Sequence, residues 1–220
     1  MKKFLKILSG LVLIVLLFIL VGVLFITTTK PSIPLKSDFN VTPNDSLIER
    51  GKYLANYVTV CMDCHSTRDW RKFSAPIISG TEGAGGDVFP EEAGFPGTFY
   101  AKNITPHALI NWSDSEIYRA ITSGVDREGE PLFPLMPYLS YAKMDIEDVS
   151  AIIAYLRSIP PVDSNIPKSE PSFPFSLIMR TIPQKPEQSN KPPKTDILAY
   201  GKYLTTIAAC ADCHTLQEKG

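Results

Sequence analysis

The longest apolar run in the chain lies close to its N-terminus. Residues 7–26 carry no charge, and Lys2, Lys3 and Lys6 precede them. A helix of twenty residues is about 30 Å long, which matches the hydrocarbon thickness of a bilayer. No small-residue cleavage site follows, so the pattern predicts an uncleaved membrane anchor over 1–29. The lysines before the span predict an inner-membrane, single-pass orientation with the bulk of the chain on the periplasmic side.

Helical periodicity dominates the rest of the pattern. After a tether over 30–43, apolar positions predict a helix over 45–58, capped by Asp45 or Ser46. Two later helices have equally clear boundaries. Their signals are a capping box at Ser113 and Glu116 with a stop near Gly124, and a cap at Asp145 with a stop at Pro160.

Glycine and proline divide the chain into units. The glycine-rich stretch 78–97 has no helical period and predicts a long irregular loop. Between residues 159 and 193 there are nine prolines, which predict a linker over 163–194. Because helices flank the loop and no strand pair competes with them, we expect an all-α fold with a first domain over 44–162.

All four cysteines lie in two copies of C-x-x-C-H, at Cys61 to His65 and at Cys210 to His214. This spacing is the signature of covalent c-type haem attachment. Two thiols on one helical turn can bond one edge of the porphyrin, and the adjacent imidazole then lies under the iron. We therefore predict haem c, with His65 and His214 as proximal ligands. The predicted attachment residues are Cys61, Cys64, Cys210 and Cys213.

Other uses of C-x-x-C were considered beside haem. A four-cysteine zinc ribbon would bring its pairs within about 15 to 20 residues of each other, whereas most of this chain separates them. A dithiol oxidoreductase would place the motif near a βαβ pattern, and here the flanks predict helices. Structural disulfides would leave the repeated histidine unexplained.

An internal repeat links the two motifs. The tetrapeptide Gly51 to Leu54 recurs as Gly201 to Leu204, ten residues before Cys61 and nine before Cys210. The sequence therefore predicts that 195–220 opens a second module of the same kind. Only six residues follow His214, too few to cover a haem face, so we expect an incomplete second repeat in a truncated chain. The alternatives are an exposed second haem without an internal distal ligand, or a partner that completes the module.

A methionine opposite the histidine is the usual second ligand of an electron-carrying haem. Met136 is the best candidate, because Pro134 and Pro137 stiffen its loop. The alternative is that Met136 only fills core space. His107 could also ligate an iron, although a loop histidine is usually solvated.

Charge adds a surface property to this picture. The chain has a net charge of −1, which argues against nucleic acid as a partner. Residues 44–162 hold sixteen acidic against ten basic side chains. This imbalance predicts either a negative face for a basic redox partner or simply a soluble acidic surface.

Six motifs occur together in this chain. They are Gly51 to Leu54, Cys61 to His65, Asn103 to Pro106, Ile110 to Asp114, Pro131 to Tyr138 and Ala154 to Ser158. Their combination resembles the multi-haem cytochrome c subunits of membrane-bound alcohol and gluconate dehydrogenases. That resemblance covers 45–220 and implies small all-helical cytochrome c modules with His65 and Met136 as axial ligands. It further implies a dehydrogenase as electron donor and quinone or an oxidase as acceptor.

The resulting prediction is a membrane-anchored electron carrier and not an enzyme. A di-haem peroxidase remains an alternative, since an iron without a second ligand could bind substrate. A dithiol oxidoreductase is a further alternative. Neither the electron donor nor the acceptor can be named from the residues.

Overall fold

Helices form about half of the protein in the computed structural model, which describes residues 2–215. The predicted second module therefore extends, over 216–220, beyond the described residues. The longer helices are α1 (Lys2–Thr28), α2 (Asp45–Tyr53), α5 (Asp114–Ser123), α7 (Ile146–Ser158) and α9 (Ile197–Ile207). The short ones are α3 (Cys61–Cys64), α4 (Pro106–Leu109), α6 (Tyr138–Tyr141), α8 (Phe175–Ile178) and α10 (Cys210–His214).

Helix α1 corresponds to the predicted anchor. It is long and apolar enough to cross a membrane, and none of its residues is buried. The segment after it packs on the folded domain. Lys30 forms an ion pair with Glu130 at 3.2 Å, and the Val41 amide donates to Asp114 at 2.8 Å. The predicted tether thus follows the domain surface.

The core forms where α2 crosses α7. Gly51 lies so close to α7 that an added Cβ would be 1.8 Å from the Ala151 carbonyl oxygen. Because glycine has no side chain, the backbones of α2 and α7 can come into contact at this position. Around the crossing lie fully buried side chains. They include Leu54, Ala55, Val149, Ile152 and Ile153.

A buried ion cluster fastens other parts of the chain to this crossing. Asp148 is fully buried and accepts hydrogen bonds from Arg50 at 3.0 and 2.7 Å. Lys191 donates to the same carboxylate at 2.8 Å, and so does the Tyr203 hydroxyl at 2.8 Å. Because Tyr203 belongs to α9, the cluster ties the start of the second repeat to the first module. Ile207 of α9 is buried in the same core.

Helix α2 does not simply end at Tyr53. The chain continues as a π-helical turn over Leu54–Val58, whereas α9 stays α-helical through the corresponding residues. A π-helical turn accommodates one additional residue in a helix. This explains why ten residues separate the tetrapeptide from Cys61 while nine separate it from Cys210. The repeat is therefore preserved in structure despite its unequal spacing.

Helix boundaries agree largely with the sequence. The capping box at Ser113 and Glu116 is present, Gly124 is left-handed with φ of 68°, and Asp145 caps α7. The N-cap of α2 was predicted wrongly. Asn44 occupies it, and its side chain accepts from the Leu47 amide at 2.9 Å. Asparagine caps as well as aspartate or serine, so the sequence alone could not choose among three adjacent candidates.

The expectation of no strands is wrong in one region. A small antiparallel sheet joins β1 (Val88–Phe89), β2 (Gly97–Tyr100) and β3 (Glu170–Pro171) in that order. Thr98 is in register with Glu170, so β3 comes from the predicted linker. Such long-range pairing leaves no local periodicity, because each strand has four residues or fewer.

Candidate functional site

The first C-x-x-C-H motif lies directly after the π-helical turn. Val60 adopts a left-handed conformation with φ of 46°, and this reverses the chain into α3. Cys61 and Cys64 then lie on one helical turn, and the His65 amide donates to the Cys61 carbonyl at 2.9 Å. Both thiols are partly exposed. The geometry is the one that two neighbouring thioether bonds to a porphyrin require.

The His65 imidazole is oriented by a backbone group. Its Nδ1 lies 2.6 Å from the carbonyl oxygen of Lys102. When Nδ1 carries the proton and donates it to this carbonyl, the Nε2 lone pair is free for an iron ion. Burial also lowers the pKa of His65, which favours the neutral, ligating form. These residues therefore fit the proximal side of a haem.

The Asn-Ile-Thr-Pro motif holds that carbonyl in place. The Asn103 side chain accepts from the Thr105 amide and hydroxyl, both at 2.8 Å, and donates to the Val162 carbonyl at 2.8 Å. Lys102 itself donates through Nζ to the Pro167 carbonyl. Sequence reasoning missed Lys102, because a backbone acceptor has no residue signature. The adjacent motif was the available signal.

The thiol chemistry argues against a dithiol oxidoreductase. Burial raises the pKa of Cys61 to about 11, and it also raises the pKa of Cys64. A reactive dithiol needs a cysteine with a lowered pKa. The Thr59 hydroxyl contacts the Cys61 sulfur at 3.2 Å, a further contact that the sequence did not indicate.

Met136 packs against the same hydrophobic core as Cys61. Three other described methionines, Met62, Met144 and Met179, are buried. Met136, in contrast, is only partly buried. Its amide donates to the Phe133 carbonyl at 3.2 Å, which shapes the loop between the two prolines.

A phenylalanine cluster braces this loop. The rings of Phe133 and Phe99 stack at 3.7 Å with an angle of 8° between their planes. Phe175 of α8 meets Phe133 edge-on at 5.7 Å, and Phe95 does so at 6.1 Å. Three segments therefore meet at Phe133, three residues before Met136. They are strand β2, the loop that holds Met136 and the segment after β3.

The second motif repeats the backbone of the first in a different environment. Ala209 is left-handed with φ of 55°, as Val60 is before the first motif, and α10 carries Cys210 to His214. Both of its cysteines are exposed, whereas Cys61 and Cys64 are only partly exposed. Within residues 2–215 no group of three or more His, Cys, Asp or Glu side chains converges as a metal site. The zinc alternative therefore gains no support from the described geometry.

His107 and the Trp-Ser-Asp motif form polar contacts with other parts of the domain. His107 Nε2 lies 3.3 Å from an Asp163 oxygen at the surface. Arg157 donates to the carbonyls of Leu109 and Trp112 and to Asp114. These contacts join the start of α5 to α7, so this motif maintains the scaffold.

Comparison with known proteins places these features in context. The chain is 31% identical to the gluconate 2-dehydrogenase cytochrome c subunit of Pantoea cypripedii, over 80% of this chain and 41% of the relative. The chain is homologous to cytochrome c subunits. It is also 32% identical to the fructose dehydrogenase cytochrome subunit of Gluconobacter japonicus, over 76% of this chain and 34% of the relative.

The alcohol dehydrogenase (quinone) cytochrome c subunit of Gluconacetobacter polyoxogenes gives a similar match, 29% identical over 80% of the chain and 38% of the relative. The resemblance predicted from the motifs is confirmed. All three relatives are named as cytochrome subunits of dehydrogenases. The chain spans well under half the length of these three relatives. No protein-family model matches it.

Proposed function

We propose that the protein is a membrane-anchored, extracytoplasmic c-type cytochrome that carries electrons one at a time. Haem c, when bound, supplies the one-electron iron couple. When haem c is bound, Cys61 and Cys64 would hold it through thioether bonds, and His65 and Met136 would ligate its iron. The surrounding chain would limit the access of water to the iron and hold both ligands in place.

The observation that carries this proposal is the contact between His65 Nδ1 and the Lys102 carbonyl. A surface histidine that only contacts solvent does not need a fixed ring orientation. Here the ring follows two cysteines on one turn, and its second nitrogen is left free. That arrangement places two thiols and an imidazole in the order that haem attachment requires.

Met136 is proposed as the distal ligand on three grounds. It is only partly buried where the other described methionines are buried, it lies between two prolines, and stacked aromatic rings brace its loop. A thioether ligand raises the potential of a haem iron and closes the site to oxygen and peroxide. This favours a carrier over a peroxidase.

A second haem is proposed at Cys210, Cys213 and His214. The repeated tetrapeptide, the left-handed residue before the first cysteine and the single-turn helix all match the first motif. We retain the division into modules over 44–162 and 195–220 joined by 163–194. Because both cysteines of the second motif are exposed, we propose that groups outside the described residues cover the face of its haem.

The anchor and partners complete the proposal. Helix α1 would cross the inner membrane once, with the lysines before it on the cytoplasmic side. The relatives are named as subunits of gluconate, fructose and alcohol dehydrogenases. We accordingly propose a dehydrogenase as electron donor and quinone or an oxidase as acceptor.

Intact mass measurement tests the attachment sites. The full chain, matured in a host with a cytochrome c assembly system, should gain the mass of one haem per motif. Cys61→Ala with Cys64→Ala should remove one haem, and the matched pair Cys210→Ala with Cys213→Ala should remove the other. A chain without any haem-sized increment would contradict the proposal, and a single increment lost only with the first pair would limit it to one site.

Spectroscopy tests the distal ligand. Met136→Ala should abolish the thioether-to-iron absorption signature of the oxidised protein and lower the potential of the first haem, since the ligand that raises it is gone. Leu135→Ala is the matched control, because Leu135 is an exposed neighbour in the same loop. An unchanged spectrum in Met136→Ala would assign the distal position to another group.

A further inference from the structure

A short segment of the predicted linker combines outward and inward apolar side chains. Residues 173–180, here termed the interfacial segment, include α8 and the 3₁₀ turn after it. Phe175 and Met179 face the domain, the former against the phenylalanine cluster and the latter buried. Phe173 is 78% exposed and Ile178 is 50% exposed. Two large apolar side chains of this segment are therefore exposed at the surface.

This segment lies against the end of the membrane-spanning helix. Helix α8 contacts α1, and the Arg180 guanidinium donates to the Thr29 carbonyl at 3.5 Å. Arg180 also pairs with Glu130 at 3.0 Å, and Lys30 pairs with the same carboxylate at 3.2 Å. The two cations on Glu130 thus connect the helix end, the segment and the domain.

The length of α1 sets the depth of this junction. Its apolar run ends at Ile26, and a run of twenty residues fills the hydrocarbon layer of about 30 Å. The headgroup region adds about 5 to 7 Å on each side. Thr29 and Lys30 follow the run within about 10 to 14 Å of extended chain, or less where helical. Because α1 stays helical to Thr28, Thr29 lies about 5 Å beyond the run, so the contact from Arg180 lies within the headgroup region, close to its boundary with the acyl chains.

We propose that the interfacial segment is a second membrane contact, in which Phe173 and Ile178 enter the boundary between headgroups and acyl chains. The occupant of this face is the lipid surface, because the face is continuous with the helix that spans the bilayer. Aromatic side chains favour that boundary, and Arg180 and Lys30 can meet the phosphates. This inference rests on the proposed anchoring by α1.

Such a contact has a consequence for the haem site. Phe173 and Phe175 are two residues apart, one directed outward and the other packed on Phe133 of the methionine loop. A lipid contact at Phe173 would therefore fix the orientation of the first module relative to the membrane. The haem would then be held in one orientation for partners in the same bilayer.

Fluorescence quenching tests the contact in the haem-loaded full chain. The variants Phe173→Cys and Phe73→Cys are labelled with a thiol-reactive nitrobenzoxadiazole dye and reconstituted in phosphatidylcholine and phosphatidylglycerol vesicles at high lipid excess. Phe73 is the matched control, since it is 99% exposed on a loop after the haem motif. Unsubstituted protein taken through the same labelling gives the background from native thiols. We expect the iodide quenching constant at position 173 to be at least threefold lower than at 73.

Two outcomes would overturn the inference. Equal quenching at 173 and 73 means that lipid does not cover the segment. Protection that rises with the protein-to-lipid ratio means that a second copy covers it. If Phe173→Cys does not accumulate in folded form, Ile178→Cys serves as the reporter on the same face. Extraction of the unsubstituted chain by alkaline carbonate would remove the proposed anchor itself, whereas retention with equal quenching removes only the second contact.

Discussion

Alanine substitution within the repeated tetrapeptide compares two glycines of identical local sequence. Gly51 and Gly201 each precede Lys-Tyr-Leu in a helix that leads to a haem motif. A Cβ at Gly51 would lie 1.8 Å from the Ala151 carbonyl oxygen and 2.8 Å from the Tyr155 Cβ. At Gly201 no described atom lies within 4 Å of the added Cβ. The two substitutions should therefore have opposite effects on stability.

The structure gives the size of each effect. Alanine in a helix is favoured over glycine by about 1 kcal/mol at both positions. At position 51 the opposing atoms belong to backbone, and the Cβ must retreat by about 1.2 Å to reach the shortest separation that real Cβ atoms show. That movement opens the crossing of α2 and α7 and costs about 3 kcal/mol, at the upper end for overpacked cores. The net change is a loss of about 2 kcal/mol for Gly51→Ala and a gain of up to about 1 kcal/mol for Gly201→Ala.

Urea unfolding of the haem-loaded protein in detergent measures both values. The midpoint should fall in Gly51→Ala and hold or rise in Gly201→Ala, with far-ultraviolet circular dichroism as the probe. Haem content should also fall in the first variant, because α2 positions the attachment turn. If Gly51→Ala is as stable as Gly201→Ala, the contact between the two backbones does not govern the core, and the reasoning is refuted.

Three further predictions concern the surroundings of the site. Burial raises the pKa of Asp148, but hydrogen bonds from Arg50 and Lys191 outweigh it and hold the pKa below its ordinary value of 3.8. Its carboxylate therefore stabilises the fold above pH 3.8 and ceases to do so as the pH falls through its lowered pKa. Urea unfolding of Asp148→Asn should accordingly show a loss of about 3 kcal/mol in the free energy of unfolding at pH 7, and a smaller loss at pH 2. Phe133→Leu should keep haem attached but weaken the thioether-to-iron signature, and an unaltered signature would show that the ring stack does not position the loop. His107→Ala should leave the spectrum and potential unchanged, since this side chain pairs with a surface carboxylate; a spectral change would assign it a role at the iron.

Local sequence was sufficient where one stretch of chain decides the outcome. The capping box at Ser113 and Glu116 forms because its two hydrogen bonds lie within four residues, and Gly124 ends the same helix for an equally local reason. Helix α1 follows from composition alone. The π-helical turn had a signal too, since the repeat is one residue longer before Cys61 than before Cys210, but a length difference does not say where the additional residue is placed.

The functional site divides in the same way. Haem attachment at Cys61, Cys64 and His65 could be predicted from spacing, because thioether attachment needs two thiols and an imidazole on one turn, and it stays a prediction. The orientation of that imidazole could not, because it depends on the Lys102 carbonyl, 37 residues further along the chain. The sheet contributed by residues 170–171 and the stacking of Phe99 on Phe133 are likewise pairings between distant segments.

The sequence by itself determined which groups are present and how they are spaced, namely two haem motifs, one apolar span and a repeated tetrapeptide. Only the tertiary structure decided that the two copies differ. Gly51 is pressed against the backbone of α7 and Gly201 is not, and the first pair of thiols is partly covered while the second is exposed. The reason is physical: spacing along a chain is a local property, whereas burial depends on which distant segments pack against it.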